Sequence, residues 1–256
     1  MVAQIMTIGR FVVLEAWRAR MSGIIAVALF LALGTSLFVK ELAITESGRV
    51  QIAFLSALAR LAAVCVTALY VVSTMAREFN DRVVDLTVSL ELPRAAVVLG
   101  KFVGYAAMAV VIGAAAGTVL SPFAGGAGLL VWTFTLILEL WIVVAMSLFC
   151  IITFNQVMPA ASFVVAFYAL ARSIGALQLI SASPLVADQS LAHRFMDWTL
   201  DVLAYLLPNL DRFGQTVLLY DDHAHLANIA SLLGQTLVYV LLLICAALFD
   251  FYRKNF

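Results

Sequence analysis

Six stretches of this chain are apolar for long enough to cross a lipid bilayer, and they dictate what it can fold into. Met21 to Val39, Val50 to Ala76, Phe102 to Leu120, Leu129 to Phe154, Ala160 to Ile180 and Leu226 to Phe251 match the roughly 20 residues that a helix needs to traverse a hydrocarbon core. Soluble domains are roughly 45–50% apolar and about 25% charged. Here 64% of residues are hydrophobic and 12% charged, which excludes an ordinary soluble domain. The spans use most of residues 1–256, so a single transmembrane domain is expected with no separate soluble one. The predicted fold class is an all-α integral membrane protein of six transmembrane helices (21–39, 50–76, 102–120, 129–154, 160–180, 226–251).

The connecting segments add detail. Residues 4–20 place Ile5, Ile8, Val12 and Ala16 at helical spacing, with Trp17 and the arginines Arg10, Arg18 and Arg20, a pattern that predicts a helix lying in the membrane interface. The same segment lacks the compact apolar core and small-residue site of a cleavable signal peptide. Asn155 to Pro159 is a very short turn, so the fourth and fifth spans should form an antiparallel hairpin. In the 181–225 segment, Leu191, Phe195, Trp198, Val202 and Tyr205 share one helical face while His193, Asp197 and Asp201 share another, which predicts an amphipathic helix before the last span. Pro208 should end it, with a second short element in Asn209 to Tyr220.

Charge orients the chain. Arg10, Arg18, Arg20, Arg77, Arg82, Arg94, Lys101, Arg253 and Lys254 fall on one side and only Lys40, Arg49, Arg194 and Arg212 on the other. An excess of Lys and Arg marks the cytoplasmic side, so both termini and residues 77–101 are expected there and 181–225 outside, in a cytoplasmic (inner) membrane.

The sequence offers little for catalysis. No GxxxxGK[ST] loop is present to cradle nucleotide phosphates, so the chain is not expected to hydrolyse ATP, and no nucleophile, base and orienting acid stand at a usable spacing. Asp221, Asp222, His223 and His225 form too weak a pattern for a metal site, and no metal or nucleic-acid partner is expected. Cys65, Cys150 and Cys245 all lie within apolar spans as packing residues. Three ionisable residues within spans carry more information: Arg60, Glu139 and Arg172. Each costs about 2.5–3.5 kcal/mol at a helix centre, so each should face the protein interior, a wet cavity or a partner. One carboxylate against two arginines leaves one positive charge, for a buried pair with a snorkelling arginine or for an anionic substrate group. Gly113 and Gly117 form a small-xxx-small strip suited to close helix packing.

Residues 77–101, REFNDRVVDLTVSLELPRAAVVLGK, interrupt the apolar chain with charge, a proline and a short amphipathic run. Arg77-Glu78 after the second span, Asp85, apolar Leu86, Val88 and Leu90, then Leu92-Pro93 and a helix start ending in Leu99-Gly100-Lys101 resemble the first cytoplasmic loop of ABC-2 type permeases. These are transmembrane subunits of the type V exporter-like class, and by this loop the haem-exporter permeases of cytochrome c maturation look nearest. At Arg82 and Val83 the chain departs from the glycine and small hydroxyl residue that family members often carry. The resemblance implies a permease without a nucleotide site of its own, paired as a homodimer and driven by a separate ABC ATPase subunit that holds the ATP and Mg. The substrate would be an amphipathic or lipid-linked molecule, exported or extracted in contact with membrane lipid. Carried onto this chain, it implies cytoplasmic coupling helices with Arg77, Glu78, Asp81, Arg82, Asp85 and Arg94 at the ATPase, Pro93 as the break between two short helices, and Lys101 as the anchor at the membrane entrance. Two other readings are a membrane scaffold that transmits ATP-driven motion to an external partner protein, and an ion-coupled carrier built on Arg60, Glu139 and Arg172.

Overall fold

A helix apolar on every side must be surrounded, and Ala127–Phe154 meets that description best. In the computed structural model, which describes residues 2–19, 21–42, 47–81, 93–181, 191–214 and 225–253, this helix is the axis of the bundle. The described residues form eight α-helices: α1 (Val2–Arg18), α2 (Met21–Leu42), α3 (Ser47–Asn80), α4 (Arg94–Leu120), α5 (Ala127–Phe154), α6 (Val157–Ser181), α7 (Leu191–Leu206) and α8 (His225–Arg253). A 3-10 turn, Leu210–Gly214, follows α7. Helices α3, α4, α6 and α8 pack around α5, while α1 lies on α4, α2 on α3 and α7 on α6. Six helices, α2 to α6 and α8, are long and apolar enough to cross a membrane. Large apolar side chains such as Phe30, Leu130 and Leu241 stand exposed on the outside of the bundle, the surface that lipid covers. The protein is a multi-pass membrane protein.

Several helices run past the expected span limits. Helix α3 continues to Asn80 and α4 begins at Arg94, so Arg77 to Asn80 and Arg94 to Lys101, expected in the loop, are helical turns. Hydropathy marks where a helix leaves the hydrocarbon, and backbone hydrogen bonding carries it further. Pro93 stands just before α4 in an extended conformation (φ −60°, ψ 127°), with the φ that its ring imposes. Of the coupling-helix pair expected on either side of Pro93, the stretch after it forms the first turns of the long helix α4, while 82–92, with Arg82 and Asp85, lies outside the described residues, as do 182–190 and 215–224. The hairpin turn between α5 and α6 is shorter than expected. Asn155 adopts the left-handed conformation (φ 56°, ψ 7°) and its N–H bonds to the Ile151 carbonyl, a helix-ending geometry that asparagine tolerates. Helix α6 then starts at Val157, with Pro159 in its first turn where no amide donor is lost.

Helix α4 is shaped by four glycines. A methyl group at Gly113 would sit 2.6 Å from Ile137 Cγ1, and one at Gly117 2.5 Å from Thr133 Oγ1, so both face α5. The other two, Gly100 and Gly104, face α1: a methyl at Gly104 would lie 2.6 Å from Val12 Cβ and 2.9 Å from the Gly9 carbonyl oxygen. Small residues on both sides let the two backbones approach. They seat Gly9, Val12 and Ala16 against α4 and leave Phe11, Leu14 and Trp17 exposed.

Helix α7 forms where its amphipathic pattern predicts. Trp198, Val202, Tyr205 and Leu206 are exposed, while Leu203 packs on the core. These four side chains therefore face away from the bundle, as a helix resting on a membrane interface would place them.

The glycine seam makes a contrast that can be measured. Gly104→Ala should destabilise the purified protein by about 1–3 kcal/mol through overpacking, whereas Gly23→Ala, with nothing within 4 Å of the added methyl, should be neutral or stabilising by up to about 1 kcal/mol. Thermal unfolding in one detergent compares them, and equal effects would contradict the close α1–α4 approach.

Candidate functional site

The three ionisable residues of the spans meet in one place. Glu139 sits midway along α5 and is fully buried, and both of its carboxylate oxygens are engaged. One oxygen pairs with Nη1 of Arg60 from α3, itself 2% exposed. The other accepts a hydrogen bond from the Tyr168 hydroxyl at 3.0 Å and faces Arg172 Nη1 at 3.5 Å, both from α6. A carboxylate buried without partners would be expensive in this setting. Here one acid joins three helices.

Neighbours on the same faces complete the arrangement. On α5, Thr135 and Trp132 lie four and seven residues before Glu139, which puts all three on one side of the helix. Arg60 Nη2 donates to Thr135 Oγ1 at 3.4 Å, and the guanidinium carbon stands 5.1 Å from the Trp132 ring centroid, within reach of cation–π attraction. The Arg60 charge is thus enclosed by a carboxylate, a hydroxyl and an aromatic face. Tyr168 precedes Arg172 by four residues on α6, which sends both toward Glu139.

Arg172 is held more loosely. Besides its 3.5 Å approach to Glu139, Nη1 donates to the Leu210 carbonyl of the 3-10 turn at 3.4 Å, and the side chain keeps 30% of its exposure. Its guanidinium lies where a methyl on Gly214 would fall, 2.1 Å from Nη2, so a side chain there would displace it. With Arg60 closing the other oxygen, the junction carries one net positive charge and Arg172 presents it.

A second polar cluster lies at the far ends of α3 and α4. Glu78 and Lys101 form an ion pair, with side-chain exposures of 14% and 11%. This pair ties the exit of α3 to the second turn of α4. Arg94, at the start of α4, donates through Nη1 to the carbonyls of Phe251 at 3.5 Å and Tyr252 at 3.2 Å, where a cation meets the negative end of α8. Thr153 donates to Asp250 at 2.6 Å, joining α5 to α8 nearby. Arg77 and Asp81 are exposed. Of the residues assigned to the loop by resemblance, Glu78, Arg94 and Lys101 are thus engaged in contacts between helices, and Arg77 and Asp81 face outward.

Among the described residues no group of three His, Cys, Asp or Glu side chains is placed to hold a metal ion. Asp221, Asp222 and His223 lie outside the described residues, and His225 opens α8. Sequence reasoning singled out Arg60, Glu139 and Arg172 but missed Trp132, Thr135 and Tyr168, whose spacing from the charged residues was the available signal. It also passed over Gly100 and Gly104, four apart just as Gly113 and Gly117 are. Comparison with protein-family models finds no match, and comparison with curated proteins finds none either.

Removing one partner of the junction should cost far more than trimming its edge. Glu139→Ala strands two arginines and should destabilise by about 3–5 kcal/mol, against about 1 kcal/mol for Tyr168→Phe, which deletes one hydrogen bond. Chemical unfolding of the purified protein in mixed micelles gives both values. A Glu139→Ala loss no larger than that of Tyr168→Phe would show that the carboxylate is not the centre of the cluster.

Proposed function

We propose that this chain is the permease subunit of an ATP-driven exporter of the ABC-2 type, moving an amphipathic or lipid-linked substrate. A separate ATPase subunit docks on residues 77–101, on the cytoplasmic side, and a second copy of the permease completes the transporter in the inner membrane. The observation that carries this reading is the continuity of α3. This 34-residue helix runs without a break from Ser47 to Asn80, bearing Arg60 at the buried junction and the charged loop at its end. Twenty residues separate Arg60 from Asn80, about 30 Å of helix at 1.5 Å per residue. A rod of that length carries a displacement of the loop to the junction.

The contacts at the loop ends support the same reading. Glu78–Lys101 and the Arg94 contacts with α8 bind α3, α4 and α8 together beside the loop, so a push there moves three helices as a group. Nucleotide energy reaches a membrane segment only through contacts that differ between two states, and exposed Arg77 and Asp81 are placed to make such contacts. The excess of Lys and Arg on this side agrees with a cytoplasmic loop. A second reading, a scaffold that transmits ATP-driven motion to an external protein without moving a solute, draws on the outward stripe of Trp198, Val202, Tyr205 and Leu206 on α7.

The two kinds of charge in the loop should respond differently. Asp81→Lys and Arg77→Glu, both at exposed positions, should lower co-purification of a P-loop ATPase and ATP turnover of the complex at least about tenfold, the effect of losing ~1.4 kcal/mol, with unfolding unchanged. Glu78→Lys should impair folding as well, and Glu78→Lys with Lys101→Glu should restore it. Full ATPase binding and turnover in the Arg77 and Asp81 variants would overturn the docking assignment, and substrate movement by the chain without any ATPase would overturn the energy source. Substitution of Trp198 and Tyr205 by Ser should leave substrate movement intact on the permease reading and abolish coupling to an external protein on the scaffold reading.

A further inference from the structure

The Tyr105 hydroxyl of α4 is enclosed in the bundle and has no hydrogen-bond partner among the described residues. Its side chain is as buried as that of Thr74 on α3, each 1% exposed. Across from it stands Tyr70 of α3. The two rings meet edge to face, with centroids 6.1 Å apart and planes at 80°. Tyr70 and Thr74, one turn apart on α3, lie within reach of one another in a geometry that satisfies neither hydroxyl. Tyr105 follows Lys101 by one turn of α4, and Thr74 precedes Glu78 by one turn of α3. The three hydroxyls therefore lie just inside the Glu78–Lys101 ion pair, one turn deeper in the bundle.

We infer that this place is a binding site for ordered water, held by Tyr105, Tyr70 and Thr74 beneath the Glu78–Lys101 pair. A buried polar group without a partner is costly, and buried groups of this kind are met by protein or by bound water. Each hydroxyl both donates and accepts, and a buried water takes about 2–4 such partners. Neighbouring hydroxyls that do not touch leave the separation that a bridging water spans. Charge selects water over an ion. The charged groups that act on Tyr105 are Glu78, Glu15 of α1 and Arg77, and Lys101 is paired with Glu78. Two acids and two bases cancel, so the site favours a neutral ligand that both donates and accepts. A small cavity of about 10 Å³ on another side of Lys101 is otherwise lined by apolar residues such as Met75, Val98 and Leu148, and it offers a water one polar group instead of three.

The position of the site also gives water a way in. Glu78 and Lys101 keep 14% and 11% of their side-chain exposure, so solvent reaches the pair from the loop side and the hydroxyls come next. Water held there provides Glu78 and Lys101 with hydrogen-bonding partners one turn deeper, which lets the pair loosen without stranding either charge. That such loosening serves ATPase-driven motion rests on the function proposed above; the water site does not.

Synchrotron hydroxyl-radical footprinting of the full chain in detergent micelles tests the inference, because radicals generated from bound water oxidise the side chains that touch it. Phe213, fully buried and apolar, is the comparison, with each rate corrected for the intrinsic reactivity of its residue type. Tyr105 should be oxidised faster than Phe213, and Tyr70→Phe combined with Thr74→Val should bring the Tyr105 rate down to that of Phe213. Tyr105→Phe should lower the thermal unfolding midpoint, since deleting a hydroxyl bonded to water loses those bonds, whereas deleting an orphan relieves its desolvation. The inference fails if wild-type Tyr105 is oxidised no faster than Phe213. Oxidation that persists in the double variant would also overturn it, by showing helices that open instead of holding water, as would a midpoint unchanged or raised in Tyr105→Phe. A Tyr105 rate that differs between potassium and lithium buffers of equal ionic strength would overturn it too, because the occupant would then be a cation.

Discussion

An ionised carboxylate is costly to bury in a membrane bundle without cations, and Glu139 meets that constraint by drawing α3 and α6 onto α5. In water its oxygens would be hydrated wherever the helix turned. In lipid they have to be met by protein, so the rotation of α5, the depth of Arg60 and the approach of α6 are specified together. Apolar packing alone discriminates weakly between helix rotations in lipid, since the surroundings are as apolar as the side chains. The polar junction supplies specificity that Leu, Val and Ile cannot. Its two arginines are not equivalent: Arg60 is enclosed by Glu139, Thr135 and Trp132, and Arg172 retains partial exposure.

The remaining architecture arranges itself about that junction. Helix α4 comes close to α5 through Gly113 and Gly117 and receives α1 through Gly100 and Gly104. At the far end, Glu78–Lys101 and the Arg94 contacts hold α3, α4 and α8 together. Helix α3 belongs to both polar clusters, and this shared membership is why a charged loop and a buried junction about 30 Å apart can act as one mechanical unit in the proposed transporter.

Much of this was legible in the sequence, because lipid imposes simple rules. Six spans were readable from the length of their apolar runs, and α7 from the spacing of Leu191, Phe195, Trp198, Val202 and Tyr205. The limits of α3 and α4 were less legible, since Arg77, Glu78, Arg94 and Lys101 lower the local hydropathy without interrupting the helix. The rotation of α7 was not readable either: an amphipathic stripe shows that a helix has two faces, and only packing shows which faces the protein. Arg60, Glu139 and Arg172 could be named one by one as residues too costly to leave unpaired. That they share one carboxylate, and that Arg172 is the looser partner, depends on the relative depth and rotation of three helices, which no one-dimensional pattern contains.

Double-mutant cycles on unfolding free energy, taken for Arg60 with Glu139 and for Arg172 with Glu139, test the unequal sharing of this carboxylate most directly. The expected coupling is about 2–3 kcal/mol for the first pair and below about 1 kcal/mol for the second, within the range seen for interacting side chains. Equal couplings, or a larger one for Arg172, would contradict the account, because Arg172 would then be committed to Glu139 as firmly as Arg60 is.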